Sequence, residues 1–268
     1  MILRKLDGNI GIKDVVTRKE TFIKLNAFNF SVQTRIFFNS ENEENQYIPD
    51  SWKYIQYKEY LRNDLYSLKS NIKTNSKTDT LIDIIKSRKS LQPNGIKEID
   101  SAHMMFLIAN SFGIIDTKEE RRAYPSAGKR YPLEIYILKI NKSGKHFDVL
   151  HFNVKRNCLE IVDSKINITD LKQLLTEDWV LNSSLIVFLT AQYMRGYIKY
   201  RDLAYKAALI EAGHSAQNLL LLTEAIGMSA CPIFSWIEDK VDRILHVDGY
   251  YESAIYGIAI SNKKQVSL

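Results

Sequence analysis

RDLAYKAALIEAGHSAQNLLLLTEAI, residues 201–226, is the stretch on which the reading of this chain turns. It is rich in Ala and Leu, carries no proline, and runs into Gly227, where a capping glycine belongs at a helix C-terminus. As one helix it would span about 39 Å at ~1.5 Å of rise per residue. That is long for a domain of this size, and long central helices are often shared with a second subunit. Glu211, His214, Gln217 and Asn218 interrupt an otherwise apolar surface. Gly213 costs a helix interior about 1 kcal/mol relative to Ala, which implies close packing or a ligand nearby. His214 reads either as a satisfied buried histidine or as a catalytic group. Only Glu211 and His214 have metal-ligand spacing, too few for a site, so no metal is expected.

Outward from this helix the pattern stays regular. On the N-terminal side, residues 184–190 (SLIVFLT) read as a buried strand and 168–177 as a helix. Residues 133–140 alternate Leu133, Ile135 and Ile137 against Glu134, Tyr136 and Leu138, as a half-buried strand does, with a neighbouring strand over 147–153. Residues 101–112 form a helix stopped by Gly113, and residues 79–87 a short amphipathic helix ending in SRKS. Beyond Gly227, residues 237–245 read as a helix and 254–261 as a terminal strand. The fold class is therefore α+β, with helices gathered around one sheet. Residues 1–78 are polar and irregular, with short strands expected at 21–25 and 34–38, a loop at 39–46 and a linker over 71–80. The domain division expected is 1–78 and 79–268.

A chain of 268 residues can bury a full core. It has no apolar run of the eighteen or more residues needed to cross a bilayer, and its first residues lack the apolar centre of a secretory signal, so a cytoplasmic protein is expected. The two cysteines, Cys158 and Cys231, have neither CxxC spacing nor a nearby His, which argues against zinc and against a disulfide framework. The formal charge of +6 suits an anionic partner. There is no helix-turn-helix signature or dense basic stripe, so that partner is read as a phosphate-bearing cofactor or an acidic peptide rather than nucleic acid.

Several segments carry possible chemistry. Arg88, Lys89 and Ser90 would grip a phosphate, since Arg engages two phosphate oxygens at once; alone they also read as helix-end cations that complement the dipole. Residues 121–132 (RRAYPSAGKRYP) run straight into a strand. There Pro125 fixes a backbone angle, Ser126 adds a hydroxyl, and Gly128 admits close approach of a planar ligand, with four cations around the turn. Lys199 and Tyr200 sit just before the long helix and would accept protons if burial or neighbouring cations lowered their pKa; the plain alternative is a snorkelling Lys and a packing Tyr. In residues 227–236 (GMSACPIFSW), Pro232 and adjacent main-chain N–H groups would meet a flat ring edge, while Cys231 reads as a small buried apolar residue.

Taken in order, the short RxS segment, PSAG followed by YPLEIY, KY followed by YKAALIEAGHSAQNLLL, and GMSACPI resemble the SagB/McbC-type dehydrogenases, a branch of the nitroreductase family. The likeness covers about residues 79–261. The resemblance implies an FMN-binding homodimer with a central, mostly antiparallel sheet flanked by helices. The long central helix would lie at the dimer interface, with each flavin held between subunits. Carried over position by position, Arg88, Lys89 and Ser90 would hold the FMN phosphate, and Pro125, Ser126, Ala127 and Gly128 would line the flavin. Pro232, Ile233, Phe234 and Ser235 would approach its ring, and Gln217 would reach it too. Lys199 and Tyr200 match the Lys-Tyr pair associated with azoline oxidation in this branch. One departure is that the family pattern PSAGG-Leu is here Gly128-Lys129-Arg130.

The resemblance implies a dehydrogenase that turns peptide thiazolines or oxazolines into thiazoles or oxazoles in ribosomal peptide biosynthesis. Its partners would be an azoline-containing precursor peptide and a cyclodehydratase complex. Two other functions fit the same residues. One is an NAD(P)H-dependent reductase of nitro compounds, quinones or dehydroamino acids. The other is a non-catalytic peptide-binding subunit of a synthetase.

Overall fold

The computed structural model describes residues 75–263 apart from Lys97 and Lys142. The expected strands at 21–25 and 34–38 and the loop at 39–46 lie outside the described residues. Helix α1 (Ser76–Ser87) is capped by Asn75, whose side chain accepts the Thr78 amide proton. That cap starts the helix inside the segment expected to be a linker. Helix α2 (Ser101–Phe112) is capped by Asp100 and stops at Gly113, as expected. Strands β1 (Ile114–Asp116) and β2 (Arg121–Arg122) make a small hairpin, and a 3-10 turn over Ala127–Lys129 leads into β3 (Leu133–Ile140). Then come β4 (His146–Asn153), β5 (Cys158–Asn167), α3 (Ile168–Lys172), a second 3-10 turn (Asp178–Asn182) and β6 (Leu185–Gln192). Helices α4 (Tyr193–Tyr200) and α5 (Leu203–Ala225), strand β7 (Met228–Ile233), helix α6 (Glu238–Ile244) and strand β8 (Glu252–Asn262) complete the order.

The main sheet has the order β5-β4-β3-β6-β8-β7, with every neighbouring pair antiparallel. Alternation along β3 sorts its side chains between two cores. Leu133, Ile135 and Ile137 pack with α2 and with the alanine face of α5 (Ala208, Ala212, Ala216). Leu138 and Ile140 pack on the other side with Leu171, Trp236 and Val241. Helices thus cover both faces of the sheet, and β6 at its centre is buried along almost its whole length. Burying each such Leu, Ile or Phe is worth about 1.5–3 kcal/mol, so the two cores fix the register against a one-residue slip.

The expected 201–226 helix differs in one respect that matters. Arg201 leaves helical space with φ 52° and ψ −135°, so α4 ends at Tyr200 and α5 begins at Leu203. The break lets α4 fold back on α5. Gly196 permits the close crossing, because a Cβ there would lie 2.9 Å from the Ala204 Cβ. Lys199 and Tyr200 therefore close a helix of their own instead of leading into the long one.

The helix expected over 168–177 stops at Lys172, and Leu174 packs in the lower core. Strands β5 and β7 had no counterpart in the sequence patterns. β5 is an edge strand with little burial to impose alternation, and β7 is the opposite edge, where Pro232 is tolerated opposite Ile258. Among the described residues no helix is long and apolar enough to cross a membrane.

Candidate active site

The site is built around the turn between β2 and β3. Gly128 (φ 58°), Lys129 (φ 55°) and Tyr131 (φ 44°) all occupy the left-handed region. For the two side-chain-bearing residues this costs roughly 1–2 kcal/mol each, so the surroundings must hold the turn in place. Glu211, buried in the middle of α5, does so from below. Its Oε1 accepts the Ser126 hydroxyl at 2.9 Å and the Ala127 N–H at 3.0 Å. Ser126 Oγ in turn accepts the Tyr131 N–H at 2.8 Å. Two helical turns further on, Asn218 donates to the Ala123 carbonyl at 3.0 Å. Arg122 braces the flank, donating to the Tyr124 hydroxyl and stacking on the Tyr131 ring. Burial pushes the Tyr124 hydroxyl up to about 12.

The upper side of the turn carries the pair on α4. A Cβ added at Gly128 would lie 2.6 Å from Tyr200 Oη and 2.8 Å from Lys199 Nζ. The two polar tips thus rest on the one residue of the turn without a side chain, and Lys199 Nζ is 5.3 Å from the Tyr200 ring centre. Sequence neighbours 71 positions apart, Gly128 and Lys199, have become one surface. Helix α4 is moored by Tyr193, whose hydroxyl meets Ser253 Oγ at 2.8 Å. It is also moored by Arg195, which pairs with Glu134 and donates to the Tyr131 carbonyl at 3.1 Å.

The candidate phosphate segment lies elsewhere on the chain, along β7. Arg88 caps the end of α1, with its guanidinium 3.5 Å from Ser90 Oγ. Ser90 makes a parallel bridge to Ala230, and the Leu91 N–H donates to the Ala230 carbonyl at 3.1 Å. Arg88, Lys89 and Ser90 are thereby pinned two residues upstream of Pro232 along the neighbouring strand. The Ile233 side chain turns into the lower core, filling the space a Gly257 Cβ would occupy, and Ser235 Oγ is held by Thr176 at 2.6 Å. Of this stretch the Phe234 ring is the most open, at 78% exposure, with Pro232 partly exposed beside it. Near the end of β8, Lys263 is held by both carboxylate oxygens of Glu224.

The polar residues of α5 divide by helical phase. Glu211 and Asn218, seven apart, face the turn, while His214, Gln217 and Gly213 face outward and are exposed. His214 is therefore not a buried histidine, and nothing lies within 4 Å of a Cβ placed on Gly213. Gln217 does not reach the turn of its own chain. Glu211 and Asn218 were legible only as polar interruptions; their seven-residue spacing was the signal that they share a face. Arg195 had no sequence signal of its own. Among the described residues no cluster suits a metal ion, and both cysteines are free.

Lys129 stands where the branch pattern has a second glycine, and its left-handed φ explains that glycine. Its ammonium is tied to Glu119 Oε2 at 2.8 Å and to the Glu119 carbonyl at 3.2 Å, which folds the β1–β2 hairpin over the turn. The pair is exposed and worth little on its own. Lys129→Gly should therefore be more stable than Lys129→Ala by about 1 kcal/mol, since both lose the pair and only glycine relieves the backbone. Thermal denaturation of the two variants checks this.

Several known proteins are similar to the chain. It is 22% identical to the nitroreductase-type protein MJ1384 of Methanocaldococcus jannaschii over 63% of this chain and 86% of that protein. It is 29% identical to the trifolitoxin-processing protein TfxB of Rhizobium leguminosarum over 52% of this chain and 39% of TfxB. With the microcin B17-processing protein McbC of Escherichia coli the identity is 25%, over 60% of this chain and 63% of McbC. In structure it resembles a chain of the E. coli microcin synthetase McbBCD complex with truncated pro-MccB17 bound. That likeness has a TM-score of 0.71 and 19% identity, covering 91% of this chain and 94% of that one, and it bears on the fold. Residues 86–260, which run from the end of α1 into β8 and include the turn, the Lys-Tyr pair and β7, match the Nitroreductase family. The chain belongs to that family of oxidoreductases, whose members generally use flavin cofactors.

Proposed function

We propose that the protein is an FMN-dependent azoline dehydrogenase, oxidising peptide thiazolines or oxazolines to thiazoles or oxazoles. The observation that carries this reading is the placement of Lys199 Nζ and Tyr200 Oη directly over Gly128. Aromatising an azoline removes a carbon-bound proton and a hydride. That needs a proton acceptor on the side of the substrate ring away from the flavin. The pair on α4 offers such an acceptor, its tips set against the turn at the one residue without a side chain. Bound flavin would supply the hydride acceptor.

This reading assigns each part of that cofactor its own residues. Arg88, Lys89 and Ser90 would hold its phosphate beside β7. Pro125, Ser126, Ala127 and Gly128 would line it, and the main chain of Pro232, Ile233, Phe234 and Ser235 would face the ring edge. Lys199 and Tyr200 would orient the azoline and take its proton. A homodimer accounts for the outward face of α5, where Leu209 and Ile210 are 40% and 50% exposed beside Gly213 and Gln217. Across that interface Gln217 would reach the partner's flavin. Residues 1–78 would form a separate N-terminal part and 79–268 the flavin domain. The enzyme would act in the cytoplasm on a precursor peptide together with a cyclodehydratase complex. McbC and TfxB, both processing proteins by name, support that setting.

The similarity to MJ1384 keeps a second reading in view, an NAD(P)H-dependent reductase on the same scaffold. Visible spectroscopy separates the two. The dehydrogenase reading expects a yellow protein that an azoline peptide bleaches under anaerobic conditions and NAD(P)H leaves unchanged. Bleaching by NAD(P)H alone would give the function to the reductase.

A further inference from the structure

We infer that Arg195 is a positioning residue that sets Lys199 and Tyr200 on the cofactor turn. The inference rests on the reading of that pair as the proton acceptor. Arg195 and Lys199 are four residues apart on α4 and so share a face of the helix. Both meet the same turn, Lys199 at Gly128 and Arg195 at the Tyr131 carbonyl. The pitch of the helix and the length of the turn are thereby locked to each other at two points.

What Arg195 is fastened to makes it a rigid anchor. Its second nitrogen pairs with Glu134 Oε1 on β3. The other oxygen of Glu134 meets His151 Nε2 on β4 at 2.9 Å, and His151 Nδ1 meets Glu160 on β5 at 3.3 Å. Asn153 fixes Glu160 from the side at 2.8 Å. Three neighbouring strands therefore stand behind one guanidinium. The Arg195 pairing and the His151 hydrogen bond outweigh burial, so the Glu134 carboxyl is held below its usual range and stays ionised. On the turn side the links continue: the Tyr131 N–H donates to Ser126 Oγ, and that hydroxyl donates to Glu211 of α5. Arg195 thus completes a continuous polar path from the sheet, through the turn, to the long helix.

The chemistry of the side chain makes it specific to the role. The planar guanidinium offers separate N–H groups to a carboxylate and a carbonyl at once; an ammonium in the same place serves one of them well. Without the second contact α4 would keep its packing at Gly196 and Ala204 and its Tyr193 mooring, and would stay folded. What it would lose is the aim of its last turn. Misplacement by about 1 Å is enough to lower a reaction rate about a hundredfold.

The experiment compares wild type, Arg195→Lys and Arg195→Ala, each as flavin-loaded full-length protein. Turnover of an azoline peptide should fall through kcat, by about a hundredfold in Arg195→Ala, with KM little changed and partial recovery in Arg195→Lys. Two readouts need no substrate. The rate at which an amine reagent labels Lys199 at one fixed pH, read by mass spectrometry, should change, and amide exchange over residues 193–200 should quicken. A wild-type labelling rate or wild-type exchange in Arg195→Ala would overturn the inference. If Arg195→Ala does not fold, the same two measurements on Arg195→Lys decide it, with a smaller change expected and no change overturning it. A wild type that labels and exchanges as expected but oxidises no azoline would instead sink the dehydrogenase reading and leave the positioning role intact.

Discussion

Lys199→Ala should retain bound flavin and lose azoline oxidation, with kcat reduced by about 10²–10⁴, the range for removing a general base. The side chain is largely exposed and meets the turn only over Gly128, through Cδ and Nζ. Its removal therefore leaves the turn, Glu211 and the core in place, and the melting temperature should hardly move. Tyr200→Phe tests the other half of the pair, because it keeps the ring packed and deletes only the hydroxyl that lies over Gly128. If the two groups act as one acceptor, the double variant should be little worse than the more damaging single one, as happens for residues that work as a unit. Single-turnover bleaching of the flavin by an azoline peptide reads the step directly. Bleaching at the wild-type rate in Lys199→Ala would remove the proposed acceptor.

The reach of the sequence can be judged from the same residues. Strand β3 and helix α2 were legible to the residue in their bounds, but the half-buried β3 that its alternation implied is buried on both faces, because each face packs into a core of its own. The turn was legible through its Pro-Ser-Ala-Gly chemistry, and the Lys-Tyr pair through its neighbours. The break at Arg201 was not. Nothing in the string KYRDLAYK forbids a helix, and the left-handed Arg201 arises from the packing of α4 back onto α5, a tertiary contact that passes through Gly196. The division of α5 into a turn-facing side and an open side was half legible. Glu211, His214, Gln217 and Asn218 stand out together in one dimension, and only the three-dimensional phase separates the pair that grips the turn from the pair that faces outward. The strands at the two edges were hidden for different reasons: β5 carries little of the burial that produces a readable pattern, and β7, though largely buried, is short, built of small residues and interrupted by Pro232, so it shows no alternation.

Glu211 is where fold and site depend on one another most closely, and its replacement should be the most damaging to the holoprotein. In Glu211→Ala the Ser126 hydroxyl and the Ala127 N–H lose their shared acceptor, and a cavity opens under a turn that already carries two left-handed side-chain residues. Leaving a buried donor unsatisfied costs about 1–3 kcal/mol, so the loss should be roughly 2–4 kcal/mol overall. For a domain of this size that lowers the melting temperature by roughly 5–15 °C. Flavin affinity should fall with it, since the lining residues move. Glu211→Gln should behave differently. Its amide oxygen keeps both hydrogen bonds, and the NH₂ replaces an oxygen that has no partner among the described residues. Burial raises the Glu211 carboxyl above its ordinary value of 4.5, so the folded state favours the protonated form. Its contribution to stability is fully present below that ordinary value and is lost as pH rises through the raised one. The neutral amide has no such loss. Glu211→Gln should therefore match wild type at acid pH and exceed it in thermal stability above the raised pKa. Parallel melting curves for wild type and Glu211→Gln across that range would show the carboxyl to be ionised at no cost, with the turn held by its charge.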